Sequence, residues 1–237
     1  MNLLPPAAIL AGGLGTRIRE VGGDTPKVLL PVEGRPFLGH LLDKLKQQHV
    51  GEVLLLLGFE ADQVFHVALE EAPEGLSLRR SDETEPLGTG GALMQAIDHL
   101  PSEFFLLNGD TYLDVSLQEL WEFHRDHEAS LSLTLVSSES AGEKGSVTTK
   151  DDGRITKFDE KTAQGTGWIN AGVYCFSKSV LAPFSQGAAS LEREYIPAMI
   201  EAQENVFGMK VAGSFVDIGL PQDYLGVVKN LPQGEKP

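Results

Sequence analysis

The chain has 237 residues, 41% of them hydrophobic, and a single cysteine, Cys175, so it can close a proper core as a soluble globular protein and carries no intrachain disulfide framework. A formal net charge of -15 opposes nucleic-acid binding, which needs Lys and Arg to neutralise phosphates, and no apolar run approaches the roughly 20 residues of a membrane-spanning helix. The opening MNLLPPAAIL lacks a basic n-region and is interrupted by Pro5 and Pro6, so it does not read as a signal peptide, and a reducing cytoplasm is the expected location.

Strand-length apolar runs fall at residues 7–11, 53–59, 76–80 and 104–107, with helical spacing at 36–48, 62–71 and 91–100 between them. Strand and helix alternate. Near-continuous apolar strands in that order predict an α/β fold, a Rossmann-like, mostly parallel central sheet flanked by helices. Ligands of such sheets bind beyond the carboxyl ends of the strands, and the loop 12–17 follows the first of them. After an amphipathic helix at 117–127 the character changes. Segments 130–137 and 146–158 alternate β-branched and polar residues, with Asp151-Asp152-Gly153 as a tight turn. A strand at 168–176, a helix around 191–202, a strand pair within 206–217 and a last helix from Gln222 complete a mixed β lobe. With no repeat and no Pro/Ser-rich linker, the expectation is one domain over 1–237.

The first loop crowds Gly12, Gly13 and Gly15 behind an apolar strand and follows them with Arg17, Arg19 and Lys27. A dinucleotide fingerprint would need glycine where Ile18 stands, and a P-loop would need Gly-Lys-Ser/Thr where the chain reads Gly15-Thr16-Arg17. What remains is a loop whose backbone N–H groups, at Ala11, Gly12, Gly13, Gly15 and Thr16, together with two cations, suit a triphosphate. His124-Arg125-Asp126-His127 offers no third ligand and reads as a solvated helix face rather than a metal site.

Gly12-Gly13-Leu14-Gly15-Thr16-Arg17-Ile18-Arg19 with Thr25-Pro26-Lys27 resembles the signature of the sugar-1-phosphate nucleotidyltransferases. The resemblance continues through Glu85-Pro86-Leu87-Gly88-Thr89-Gly90-Gly91-Ala92, Asn108-Gly109-Asp110, Phe158-Asp159-Glu160-Lys161, Asn170-Ala171-Gly172-Val173-Tyr174 and Val216-Asp217-Ile218-Gly219. It covers nearly the whole chain and is greatest to the bacterial D-glycero-D-manno-heptose 1-phosphate and mannose-1-phosphate guanylyltransferases. Many members read Arg-Pro-Leu-Thr after the signature where this chain has Arg19-Glu20-Val21-Gly22, which alters the spacer around the pyrophosphate.

The resemblance implies a nucleotide-diphospho-sugar transferase fold, with 1–129 binding a nucleoside triphosphate and 130–237 a sugar 1-phosphate. It implies attack by a sugar phosphate oxygen on the α-phosphorus of the triphosphate, with pyrophosphate leaving. That nucleophile is already ionised near neutral pH, so catalysis reduces to alignment and charge neutralisation. Arg17 offers a planar fork to the β- and γ-phosphates and Lys27 a compact charge near the α-phosphate. Two phosphorylated anions at contact repel by about several kcal/mol even at an effective dielectric near 20, which points to Mg²⁺ held by Asp110 and Asp217 at strand ends. The bland reading makes both aspartates caps of the helices that follow.

Gly88 and Thr89, in the second glycine loop, suit close approach to a purine, and Glu83 suits the paired donors of guanine, although Glu83 and Glu85 read equally as solvated loop charges. By matched position Lys161 takes the sugar phosphate, Glu160 and Asn170 the sugar hydroxyls, and Gly145 a close backbone contact. Trp168 lies against the sugar or in the core. The expected product is a GDP-heptose or GDP-mannose feeding lipopolysaccharide or related surface-polysaccharide synthesis. Thymidylyl or uridylyl transfer and a catalytically silent sugar-nucleotide sensor stay open, as does homo-oligomerisation. A glycosyltransferase is disfavoured by the lack of Asp-x-Asp at Asn108-Gly109-Asp110, and the lack of a long C-terminal extension implies a single function.

Overall fold

The computed structural model describes residues 4–13, 15, 18, 22–139, 146–159, 165–219 and 221–228. In chain order the strands are β1 (Ala7–Leu10), β2 (Pro31–Val32), β3 (Arg35–Pro36), β4 (Glu52–Leu57), β5 (Ser77–Asp82), β6 (Glu103–Asn108), β7 (Thr111–Leu113), β8 (Leu131–Ser138), β9 (Ser146–Thr149), β10 (Ile155–Asp159), β11 (Gly167–Ser177), β12 (Val206–Lys210) and β13 (Phe215–Asp217). The α-helices are α1 (Phe37–Gln47), α2 (Ala61–Glu71), α3 (Gly88–Gln95), α4 (Leu117–Asp126), α5 (Ile196–Glu201) and α6 (Pro221–Val227). None of the described helices is long and apolar enough to cross a membrane.

The chain forms two compact units. One comprises Met1–Pro86, Leu107–Asp114 and Ser214–Pro237, the other Leu87–Leu106 and Val115–Gly213. In the first, β1 pairs in parallel with β4, Ile9 opposite Leu55, and β4 with β5. The run Val53, Leu54, Leu55, Leu56, Leu57 is wholly buried, as expected of a strand covered on both faces. On α1 the residues Phe37, Leu38, Leu41, Leu42 and Leu45 repeat at three- and four-residue spacing and are all buried, each contributing about 1.5–3 kcal/mol of transfer free energy. This is the expected parallel α/β arrangement.

The second unit is the expected mixed sheet, in the order β12-β8-β11-β9-β10, with β8–β12 parallel and the other pairs antiparallel. The Asp151-Asp152-Gly153 turn joins β9 to β10: Gly153 takes φ 86° and Asp152 Oδ1 accepts from Arg154 N at 2.9 Å. Three expectations about element bounds and pairing need correction. Strands β12 and β13 do not pair with each other; β12 runs beside β8 and β13 beside β7. Helix α3 begins at Gly88 rather than Gly91, because Ala189 O takes the N–H groups of Gly90 and Gly91 that an unassisted helix start would leave unpaired. The helix expected around 191–202 opens as a π turn, Leu191–Tyr195, before α5.

The face containing His124 is not solvated as expected. His124 stands four residues after Leu120 and seven after Leu117, on the buried stripe of α4, and is 3% exposed. Its Nδ1 lies 3.0 Å from Ser132 Oγ, and its Nε2 lies 3.2 Å from Ser177 Oγ and 3.3 Å from Glu103 Oε2. Ser177 Oγ donates to that same carboxylate at 3.0 Å. Burial holds the imidazole neutral, its pKa pushed down to about 4 from 6.5. A folded-state pKa below the unfolded one means stability present above pH 6.5 and lost as pH falls toward 4. His124→Gln should therefore lower the thermal midpoint at pH 7, with the gap to wild type narrowing by pH 4.5. A pH-independent gap would contradict this linkage.

Candidate active site

The first unit gathers its charged groups at strand ends. After β1 the ladder continues one residue further, Ala11 N donating to Leu56 O at 2.8 Å. Gly12 then passes so close to Gly58 that a Cβ would stand 3.0 Å from Gly58 N and 2.6 Å from Glu83 Oε1. Glycine at position 12 is thus required by the protein's own packing, and Glu83 sits directly beside the loop, its N–H held by Leu57 O at 2.7 Å. Gly13 is exposed, and Gly15 takes φ 58°. Thr16 and Arg17 lie outside the described residues, as do Gly145, Glu160 and Lys161.

Lys27 opens a short 3-10 turn and is only 12% exposed. Its Nζ pairs with Asp110 Oδ2. The end of β6 is fixed beside the end of β1 by Gly109 N donating to Leu10 O at 2.9 Å, which sets Asp110 at the rim where β1 gives way to the glycine loop. Antiparallel pairing of β13 with β7 puts Asp217 opposite Thr111, and Ile218 N donates to Asp110 O at 2.9 Å. A Cβ at Gly219 would stand 2.6 Å from both Asp217 Oδ1 and Lys27 Nζ, so the three side chains converge.

Asp110 does not cap a helix in the way the bland reading supposes. Asp110 is followed by β7, and α4 is capped by Ser116, whose Oγ accepts from Glu119 N at 3.2 Å. Asp217 Oδ1 accepts from Gly219 N at 2.7 Å, a local turn that fixes its carboxylate. Among the described residues no cluster of three or more Asp, Glu, His or Cys side chains could hold a metal. The protein therefore offers two hard oxygen donors beside an ammonium. That set fits a small cation such as Mg²⁺, which keeps several waters and takes further ligands from substrate phosphates.

The second unit holds the other predicted residues. The first turn of α3, Gly88–Gly91, lies on a neighbouring backbone segment: a Cβ at Gly91 would stand 2.3 Å from Gly187 O, and Gly90 N and Gly91 N donate to Ala189 O at 2.9 and 3.2 Å. Close approach at Gly90 and Gly91 serves this packing. Thr89 Oγ1 donates to Glu192 Oε2 at 2.7 Å. Asn170 Nδ2 donates to Tyr174 Oη at 2.6 Å. Trp168 is half-buried, its ring 5.1 Å beneath Lys210 Nζ. Sequence reasoning assigned Glu192 no role, and Tyr174 only a place in a motif. The sequence marks neither, because Glu192 meets Thr89 across 103 positions.

Residues 6–234 match the nucleotidyl transferase family. The chain is 38% identical over 224 residues to mannose-1-phosphate guanylyltransferase catalytic subunit beta of Drosophila pseudoobscura pseudoobscura, an alignment that takes in 92% of this chain and 60% of that protein. It is 34% identical over 232 residues to D-glycero-alpha-D-manno-heptose 1-phosphate guanylyltransferase of Aneurinibacillus thermoaerophilus, covering 95% of this chain and 97% of the relative. The crystal structure of HddC from Yersinia pseudotuberculosis complexed with GMP-PN superposes with a TM-score of 0.85 at 32% identity, covering 95% of this chain and 98% of that one. The chain thus spans about three fifths of the Drosophila protein's length and nearly all of the Aneurinibacillus one's.

Proposed function

Because the chain belongs to the nucleotidyl transferase family, we propose that it joins GTP to a sugar 1-phosphate of the mannose or heptose type, giving a GDP-sugar and pyrophosphate. The observation that carries this reading is the convergence of Lys27, Asp110 and Asp217 at the strand ends of the first unit. A phosphate oxygen of the sugar 1-phosphate attacks the α-phosphorus. The bond from that phosphorus to the bridging oxygen breaks, and the electron pair leaves with pyrophosphate. No proton has to be removed from the nucleophile, so the residues act by placing and neutralising charge.

In this reading Lys27 carries a point charge to the α-phosphate, where negative charge grows, and Arg17 grips the β- and γ-phosphates. Asp110 and Asp217 would hold Mg²⁺, which when bound supplies the positive charge that offsets the meeting of two anions. Glu83, beside Gly12, accepts from the ring N–H and exocyclic amine of guanine. Asn170, with Glu160, Lys161 and Gly145, receives the sugar phosphate. A cytoplasmic location accords with a lone, buried, unpaired Cys175, and the product would feed surface-polysaccharide synthesis.

Pyrophosphate release, measured for each nucleoside triphosphate against a panel of sugar 1-phosphates in Mg²⁺, should be greatest with GTP and a mannose- or heptose-type phosphate. Glu83→Gln should narrow the lead of GTP in the same matrix. Release with no pair would favour a silent sensor, and transfer from a supplied nucleotide sugar would favour a glycosyltransferase.

A further inference from the structure

Residues four apart in a straight strand are roughly 13 Å apart, yet the Asn170 side chain donates to Tyr174 Oη at 2.6 Å. The contact exists because the register of β11 against β8 slips between these two residues. Gly172, at φ 73°, turns the backbone back, and its N–H donates to Asn170 Oδ1 at 3.1 Å. A bulge of this kind re-aims a side chain. Tyr174 is fully buried and passes its hydroxyl hydrogen to Glu192 Oε1 at 3.4 Å. The other oxygen of Glu192 accepts from Thr89 Oγ1 at 2.7 Å and Ser190 Oγ at 3.3 Å. Thr89 Oγ1 in turn accepts from Leu191 N at 2.9 Å.

One carboxylate therefore ties two segments together: the second glycine loop through Thr89, and the bulged strand through Tyr174 to Asn170. It sits in the π turn Leu191–Tyr195, a local widening of the helix that recurs at functional positions. A carboxylate can only accept, so it fixes the direction of every hydroxyl that reaches it. The Thr89 proton points to Glu192, and the Tyr174 oxygen is left with its lone pairs toward the Asn170 amide.

We infer that Glu192 is a positioning residue for both substrates, holding the nucleotide-side first turn of α3, Gly88–Gly91, and the sugar-side Asn170 in one fixed geometry. The inference rests on the proposed transfer reaction. Removing the carboxylate frees both branches at once, so the expected signature is a loss of binding shared by two chemically unrelated substrates.

In steady-state assays Glu192→Ala should raise the KM for GTP and for the sugar 1-phosphate each by about tenfold or more, with kcat changed by less than about threefold. Glu192→Gln, which keeps one accepting oxygen, should recover most of the nucleotide KM. Tyr174→Phe should raise the sugar phosphate KM alone. An increase confined to one substrate for Glu192→Ala, or a loss in kcat alone, would overturn the inference. If Glu192→Ala does not fold, Thr89→Val and Tyr174→Phe cut the two branches separately, the first expected to raise the GTP KM and the second the sugar phosphate KM, and a variant that raises neither would overturn the inference. A second measurement stands apart from turnover: in the ligand-free protein the NMR signal of the Asn170 side-chain amide should move in both Glu192→Gln and Tyr174→Phe. An unmoved amide refutes the network role whatever the kinetics, whereas absence of turnover in wild type with every substrate pair would refute the transfer reaction and leave the amide result to judge Glu192.

Discussion

Lys27→Ala should lower kcat by about a hundred- to a thousandfold, the range for removing one preorganised group aimed at developing charge, while shifting the GTP KM by no more than about threefold. The asymmetry follows from where the charge acts. A group that meets negative charge grown only in the transition state contributes little to holding the ground-state nucleotide. The ion pair with Asp110 adds a second effect, because the variant leaves a partly buried carboxylate without its cation. Thermal midpoints of the variant therefore belong beside the rates. Equal losses in KM and kcat, at an unchanged midpoint, would place Lys27 among the ordinary nucleotide contacts. Lys27→Arg should recover part of the midpoint but little of kcat, since a planar fork does not reproduce a point charge at the end of a flexible stem.

Asp110→Asn should be as severe, about a thousandfold in kcat/KM, and should differ in its response to Mg²⁺. The substitution removes the partner of Lys27 and one of the two described carboxylates that converge on it. If those two carboxylates bind the cation, half-maximal activity in the variant should need a several-fold higher Mg²⁺ concentration, and a chelator should abolish turnover in wild type reversibly. Asp217→Asn offers the comparison, as its Oδ1 is also anchored by Gly219 N. Wild-type activity that survives exhaustive chelation would remove the cation from the reaction and leave Asp110 as the counter-ion of Lys27.

The residues differ in how far the sequence alone could place them. The 53–57 run announces a strand covered on both faces, and the rims where Asp110 and Asp217 emerge follow from a strand that ends just before Asp110 and one that ends at Asp217. Lys27 meeting Asp110 is a pairing across 83 positions; Asp110 lies just past β6, but Lys27 follows β1 only after the whole glycine loop, so nothing local in the sequence joins the two. His124 was legible in principle. Its spacing from Leu117 and Leu120 puts it on the apolar line, but adjacent charges at Arg125 and Asp126 mask the line when the segment is read residue by residue. The glycines of the second loop are a different case. Density of glycine signals close approach without naming the partner, and one partner is the backbone at Gly187 and Ala189. The link from Asn170 to Glu192 was beyond reach, since it depends on a register slip and no residue pattern specifies which strand position will bulge.

The first unit is stitched from three separate stretches of chain, and Lys27, Asp110 and Asp217 come one from each. Protein synthesis delivers these stretches in order, so a nascent chain cannot assemble its charged centre when the first stretch leaves the ribosome, nor when the second does. Only after Ser214 and the residues behind it have emerged can the third member arrive, so a prematurely terminated product would lack this centre however well its earlier strands had folded.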